Sequence, residues 1–236
     1  CHETGELLAG VPELARRIHA AGALFHLDAT QAAGKIPVDV HELDCDFLSF
    51  SAHKLGGPKG VGALYIRSGV ELPPLIDGGG QQRGRRSGTL NVPGIVGFGA
   101  AARLADPARF SSCARDRFEE LLAASGLPFE LIATDRPRLP GTSLVSLPGE
   151  DAGKLVDALY AAGVAASAGS ACSGRGSEPS RLLLDLGYPA LTAAGAVRFS
   201  FGAESSIAEA EEAAAAFIRI IQATNRKGVV DVNAYR

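Results

Sequence analysis

Between Val11 and Ile66 a helical run is followed by short apolar runs, and that alternation restricts the folds open to the chain. Val11, Leu14, Ala15 and Ile18 recur at helical spacing in a run that reaches Ala21, and Gly22 stands where such a helix stops. Ala23 to Leu27 then reads as a buried strand. A second apolar run, Asp46 to Phe50, leads into Ser51, Ala52, His53 and Lys54, and Gly60 to Ile66 reads as a third strand. Helices alternating with buried strands predict an α/β fold whose sheet is mostly parallel and covered on both faces. Ligands of such sheets sit beyond the carboxyl ends of the strands, where Asp28 and the segment from Ser51 to Lys54 fall.

Further along, Gly78 to Thr89 is a loop rich in glycine and arginine, followed by a predicted helix from Val92 to Leu104 and another from Pro107 to Ala124. A small α+β unit comes next. It has strands near Phe129 to Ile132 and Ser143 to Leu147, a helix from Asp151 to Ala162 and a short strand around Val164. A helix from Pro179 to Leu186, a strand from Ala196 to Ser200 and a helix from Ser206 to Gln222 close it. The expected division is therefore residues 1–106 as part of a larger domain, 107–127 as a connecting helix and 128–236 as a small C-terminal domain.

The charge balance narrows the partners. Lys and Arg number 23 against 26 Asp and Glu, a formal charge of -3, so no net basic field is present to hold nucleic acid or an anionic membrane. No apolar run approaches the roughly 18 residues that span a bilayer, and Cys1-His2-Glu3-Thr4-Gly5 lacks a signal peptide's charged and apolar regions. The expected compartment is the cytoplasm. The 4 cysteines, Cys1, Cys45, Cys113 and Cys172, include no C-x-x-C pair, so neither a metal knuckle nor a disulfide framework is predicted. The chain has no Met and opens inside what reads as a working segment, and an N-terminal portion is expected to precede it.

Asp28 and Lys54 close two neighbouring predicted strands, and that pairing suits pyridoxal-phosphate (PLP) chemistry. A lysine holds the aldehyde as a Schiff base, and a carboxylate keeps the pyridine nitrogen protonated so the ring can accept electrons. Read alone, a strand-end Asp such as Asp28 is more often a turn or helix-cap residue. Ser51 and His53 offer donors to a phosphate, as does Thr89 in the glycine-rich loop. Read as turns with solvated Arg83, Arg85 and Arg86, the same loop needs no ligand, and it lacks the G-K-[ST] ending of a nucleotide-binding P-loop. Cys172 lies in Ser167 to Ser177, a run of small residues that cannot pack into a core, so its thiol is expected to be exposed and reactive. Cys45 and Cys113 fit ordinary packing. Arg198, between apolar neighbours in a predicted strand, calls for a carboxylate partner, either a ligand's or an internal Asp or Glu.

Taken together, His26-Leu27-Asp28-Ala29-Thr30-Gln31, Ser49-Phe50-Ser51-Ala52-His53-Lys54, Gly57-Pro58-Lys59-Gly60, Arg86-Ser87-Gly88-Thr89, Gly169-Ser170-Ala171-Cys172 with Glu178-Pro179-Ser180, and Arg198-Phe199-Ser200 resemble the cysteine desulfurases of the class V aminotransferases, the NifS/IscS-type branch. The resemblance implies a fold type I PLP-dependent transferase, aspartate aminotransferase-like, with part of the large PLP-binding domain followed by the small domain. It implies that Asp28 pairs with the pyridinium nitrogen, Gln31 bonds the ring hydroxyl, Ser51 and His53 hold the phosphate, and Lys54 is the Schiff-base lysine. Thr89 resembles the residue that reaches the neighbouring subunit's phosphate, which implies a homodimer with shared active sites. Arg198 would bind the carboxylate of the substrate L-cysteine. Cys172 would take its sulfur as a persulfide for a sulfur-acceptor protein such as an iron–sulfur scaffold, or for thiolated cofactors, releasing L-alanine. His2 stands where the family carries an Asn that contacts cofactor or substrate, and joins the candidate catalytic residues. The family's upstream phosphate loop and ring-stacking residue are absent from this chain. Two other expectations stand beside the first: another class V enzyme such as a selenocysteine lyase, and a non-catalytic truncated subunit.

Overall fold

Gly10 adopts a left-handed conformation, φ 65°, that turns the chain into helix α1, Val11–Ala20, with Pro12 in the first turn, where a backbone N–H has no helical partner. The computed structural model describes residues 3–169 and 178–231, with side chains described to residue 224. The chain forms two compact units, Leu8–Ala108 and Arg109–Arg236, the second including Cys1–Leu7.

In the first unit, α1 lays Ala15, flanked by Leu14 and Ile18, on a sheet of three strands: β1 (His26–Asp28), β2 (Phe47–Ser51) and β3 (Gly62–Ile66). A one-turn helix, α2 (Val40–Leu43), lies between β1 and β2, capped by Asp39, whose Oδ1 accepts the His41 N–H at 2.7 Å. β1 and β2 pair in parallel with Asp28 opposite Ser49, whereas β2 and β3 pair antiparallel with Ser51 opposite Gly62. The expectation of a mostly parallel sheet thus holds for one of these two pairings. The link from β2 to β3 carries only the four-residue 3-10 turn Ala52–Leu55, and a parallel return needs a crossover of about a dozen residues.

Alternation along the strands turns Leu27, Leu48 and Phe50 toward the core with Ala15, Phe25 and Cys45. His26, Asp28, Ser49 and Ser51 share the other face, where His26, Asp28 and Leu64 are exposed. The expected cover on both faces is therefore one-sided within this unit, since α1 packs on only one. Helix α3 (Val92–Leu104) is capped by Asn91, whose Oδ1 accepts the Gly94 N–H at 3.1 Å, and it sets Phe98 edge-on against Phe50. At the opposite end of the strands Asp46 is buried. It accepts the Phe25 N–H at 2.7 Å, meets His19 Nε2 at 2.9 Å and pairs with Arg67 Nε at 3.1 Å.

The second unit begins at the stretch expected as one connecting helix. A 3-10 turn, Pro107–Arg109, precedes helix α4 (Cys113–Ala124), which packs on α8 (Ile207–Asp231) because its stripe of Ala114, Phe118 and Leu122 is apolar enough to bury completely. α4 is thereby part of the unit's core. Strands β4 (Glu130–Ile132), β5 (Thr142–Ser146), β6 (Ser167–Ala168) and β7 (Ala196–Ser200) form an antiparallel sheet in the order β4-β5-β7-β6. The short strand expected around Val164 lies slightly later, at β6. One sheet face meets α4, α5 (Ala152–Ala161) and α8 around Phe118, Phe199 and Phe217. Against the other pack two short helices, α6 (Arg181–Asp185) and α7 (Ala190–Ala194), through Leu183 and Ala193.

The segment from Glu3 to Leu7 belongs to this unit as well. Leu7 N–H donates to Pro137 O at 2.9 Å and Leu139 N–H to Gly5 O at 2.8 Å. Gly5, at φ 72°, rests on Thr142 so closely that an added Cβ would lie 2.6 Å from the threonine Cβ.

Candidate active site

Asp28 closes β1 directly opposite Ser49 of β2, and the alternation of side chains puts it on the same face as Ser51. By strand spacing and rise the two Cα atoms stand about 8 Å apart, enough for one aromatic ring and a phosphate arm. The Thr30 N–H donates to Asp28 Oδ1 at 2.8 Å. Partial burial works to raise the carboxyl pKa, but hydrogen bonds from the Thr30 hydroxyl and amide and the charge of His26 outweigh it, so Asp28 sits below the usual carboxylate range. His26, on the same face, places Nε2 3.1 Å from Ser49 Oγ.

The lysine follows from β2. Ser51 is the last residue of that strand and flanks the 3-10 turn Ala52–Leu55 that carries His53 and Lys54, and Gly56 ends the turn in a left-handed conformation, φ 83°. Two backbone bonds brace the turn, Ala52 N–H to Val61 O at 3.1 Å and Gly57 N–H to Ala52 O at 2.9 Å. Gly57 permits that closure. A Cβ there would lie 3.0 Å from Ala52 O and 3.1 Å from Ala101 Cβ of α3. His53 is exposed and Lys54 partly so, leaving both side chains within reach of a ligand.

Gln31 accepts a hydrogen bond from Lys35 Nζ at 3.0 Å on Oε1, which leaves its amide nitrogen as the donor end. Residues 31–35 form turns rather than a helix, so no periodicity in the sequence marks that contact. Thr89 is exposed at the end of a self-bonded loop: Gly80 N–H donates to Ser87 Oγ at 3.3 Å, and Gly88 N–H to Gln81 Oε1 at 3.0 Å. Asp28, Gln31, Ser51, His53, Lys54 and Thr89 all belong to the unit Leu8–Ala108.

Arg198 belongs to the other unit. It lies on β7 between Leu144 of β5 and Ser167 of β6, with partial burial lowering its pKa and the charge of Glu3 opposing that effect. Glu3 itself is buried and accepts a hydrogen bond from the Ser180 hydroxyl. In the sequence Glu3 reads only as a polar residue, for an isolated acid carries no periodic signal of burial. His2 and Cys172 lie outside the described residues. Among the described residues no cluster of three His, Cys, Asp or Glu side chains is arranged to hold a metal ion, and no helix is long and apolar enough to cross a membrane.

The groups gathered at the ends of β1 and β2 suit PLP: an ionised carboxylate to accept from the ring nitrogen, hydroxyl and imidazole groups for the phosphate, and an amine for the aldehyde. This chain belongs to the class-V aminotransferase family, whose model matches residues 2–212. It is 46% identical over 217 residues to a cysteine desulfurase of Gluconacetobacter diazotrophicus, a match covering 89% of this chain and 54% of that protein. A second cysteine desulfurase, from Bradyrhizobium diazoefficiens, is 44% identical over 225 residues, covering 93% of this chain and 57% of its own length. Among solved structures, a NifS-like protein from Rickettsia africae superposes with a TM-score of 0.82 at 28% identity, covering 93% of this chain and 59% of that one. The chain therefore spans about half the length of the curated relatives it matches.

Proposed function

We propose that this chain is the part of a PLP-dependent cysteine desulfurase that carries the Schiff-base lysine, Lys54, and the sulfur-accepting thiol, Cys172. The observation that carries the reading is the common location of Asp28 and the Lys54 turn at the ends of two paired strands, in a class-V aminotransferase similar to proteins named cysteine desulfurase. PLP, when bound, supplies an electron sink next to the substrate's reacting carbons. Asp28 would hold a negative charge against the ring nitrogen, Gln31 would donate to the ring hydroxyl, and Ser51 and His53 would fix the phosphate. Lys54 would anchor the aldehyde and then carry protons at the substrate's Cα and Cβ. Arg198 would orient L-cysteine through its carboxylate, with His2 beside the reacting groups.

The sulfur chemistry balances without a further reagent. The Cβ–Sγ bond of L-cysteine breaks as an S–S bond forms to Cys172, and the thiol proton ends on carbon. L-Cysteine and a thiol thereby become L-alanine and a persulfide. The persulfide would pass to an acceptor protein such as an iron–sulfur scaffold, in the cytoplasm, from a homodimer in which Thr89 completes the partner's phosphate site.

The test is direct. PLP mixed with the purified chain is expected to give the visible absorbance of lysine-bound cofactor, and Lys54→Ala is expected to abolish it. In the holoenzyme, Cys172→Ser is expected to remove both L-alanine release and protein persulfide. A lysine-independent absorbance, or alanine formation that survives Cys172→Ser, would overturn the reading.

A further inference from the structure

Glu3 is 3% exposed, and a carboxylate removed from water needs a compensating partner. Its partner is the Ser180 hydroxyl, which donates to Oε1. Ser180 is itself fixed: its Oγ accepts the Leu183 N–H at 3.3 Å as the cap of α6, and its N–H donates to Ala193 O at 3.1 Å. The charge of Glu3 also bears on Arg198. Gly5 packs on Thr142 of β5, and Thr142 shares a sheet face with Leu144, the pairing partner of Arg198. The segment that starts at Glu3 is thereby held along the face that carries the guanidinium. The charge of Glu3 acts on Arg198, yet no ion pair to Arg198 is present among the described residues.

We propose that Glu3 is a built-in competitor for Arg198, held off it by Ser180, and that this restraint sets how tightly the arginine grips a carboxylate ligand. The inference rests on the reading of Arg198 as the clamp for the substrate carboxylate. A half-buried guanidinium with no counter-charge is unfavourable in the empty site, and Glu3 compensates it at a distance. An arriving carboxylate then meets a second negative charge already close by. Glu3 stabilises the empty clamp and loosens the filled one, which favours release of the product L-alanine. Ser180 keeps the acid from closing the clamp outright. Both are positioning residues.

The opposite signs of two substitutions separate this role from simple support of the fold. Calorimetric titration of the full chain would use L-alanine, with L-alaninamide as the probe that lacks the carboxylate. Glu3→Gln keeps an oxygen to accept from Ser180 and loses the charge, so L-alanine should bind about tenfold more tightly, with L-alaninamide unchanged. Ser180→Ala releases the acid toward Arg198 and should weaken L-alanine about tenfold. The double variant should bind as tightly as Glu3→Gln, and Ser180→Thr should match the unsubstituted chain.

If Glu3→Gln weakens L-alanine or leaves it unchanged, or the double variant stays as weak as Ser180→Ala, the inference is overturned. Arg198→Lys tests the underlying reading, because an ammonium cannot reproduce a bidentate grip. Loss of the preference for L-alanine over L-alaninamide in that variant supports the clamp, whatever Glu3→Gln does. Unchanged binding in Arg198→Lys, or no carboxylate preference in the unsubstituted chain, removes the clamp and the inference together.

Discussion

Asp28 stands opposite Ser49 in the parallel register of β1 and β2, and Ser49 is tied to the His26 ring at 3.1 Å. The acid is therefore set by a strand pairing, with a polar neighbour on either side of it along the same face. Its other fixed contact is the Thr30 N–H at 2.8 Å.

Asp28→Asn isolates the charge from the geometry. The amide oxygen can still accept from Thr30, so the fold and the proposed capture of PLP by Lys54 should be retained. Loss of a preorganised charge at a reacting group commonly lowers turnover by about 100-fold or more, and L-alanine release by the holoenzyme should fall by that order. Assay of alanine beside the cofactor's visible spectrum checks both halves.

Gly57→Ala should damage the lysine turn while sparing the sheet. The new methyl would meet Ala52 O at 3.0 Å and Ala101 Cβ at 3.1 Å, with backbone on one side and α3 on the other. Overpacking of this kind costs about 1–3 kcal/mol, and 1.4 kcal/mol corresponds to about tenfold in affinity. Titration of PLP should show its dissociation constant raised about tenfold, with far-UV circular dichroism unchanged.

Asp46→Asn should weaken the first unit in a pH-dependent way. Burial pushes the Asp46 carboxyl up, but the Phe25 amide, His19 and Arg67 outweigh it and hold the group below its ordinary value. A depressed folded pKa contributes stability in full above the unfolded value of about 3.9, and that contribution disappears as pH falls through the lower folded value. Asn cannot neutralise Arg67, which is left with Asp44 alone, so the variant should lose about 3 kcal/mol near neutrality, the lower end for breaking a buried pair. Urea midpoints measured from pH 7 downward should converge for the two proteins in acid, and a gap that stays constant with pH would count against this account.

Local pattern made much of this protein legible. The spacing of Val11, Leu14, Ala15 and Ile18 marked α1, the run from Val92 to Leu104 marked α3, and Asp28 and the Ser51 to Lys54 segment were readable at strand ends, because periodicity and turn chemistry act over a few residues. Family-specific runs such as Ser51-Ala52-His53-Lys54 pointed to the class-V aminotransferases for the same reason: they are contiguous in the chain. Short α2 and α7 escaped notice, since one turn of helix has no period to detect. The antiparallel return of β3 depended on the length of a link, and the burial of α4 depended on where α8 lay. Glu3, Ser180 and Arg198 are scattered along the chain, and only folding brings the acid to a hydroxyl and within electrostatic range of a guanidinium. Hydrogen bonds and charge interactions depend on distance in space, which residues so far apart in sequence acquire only when strands and helices have packed.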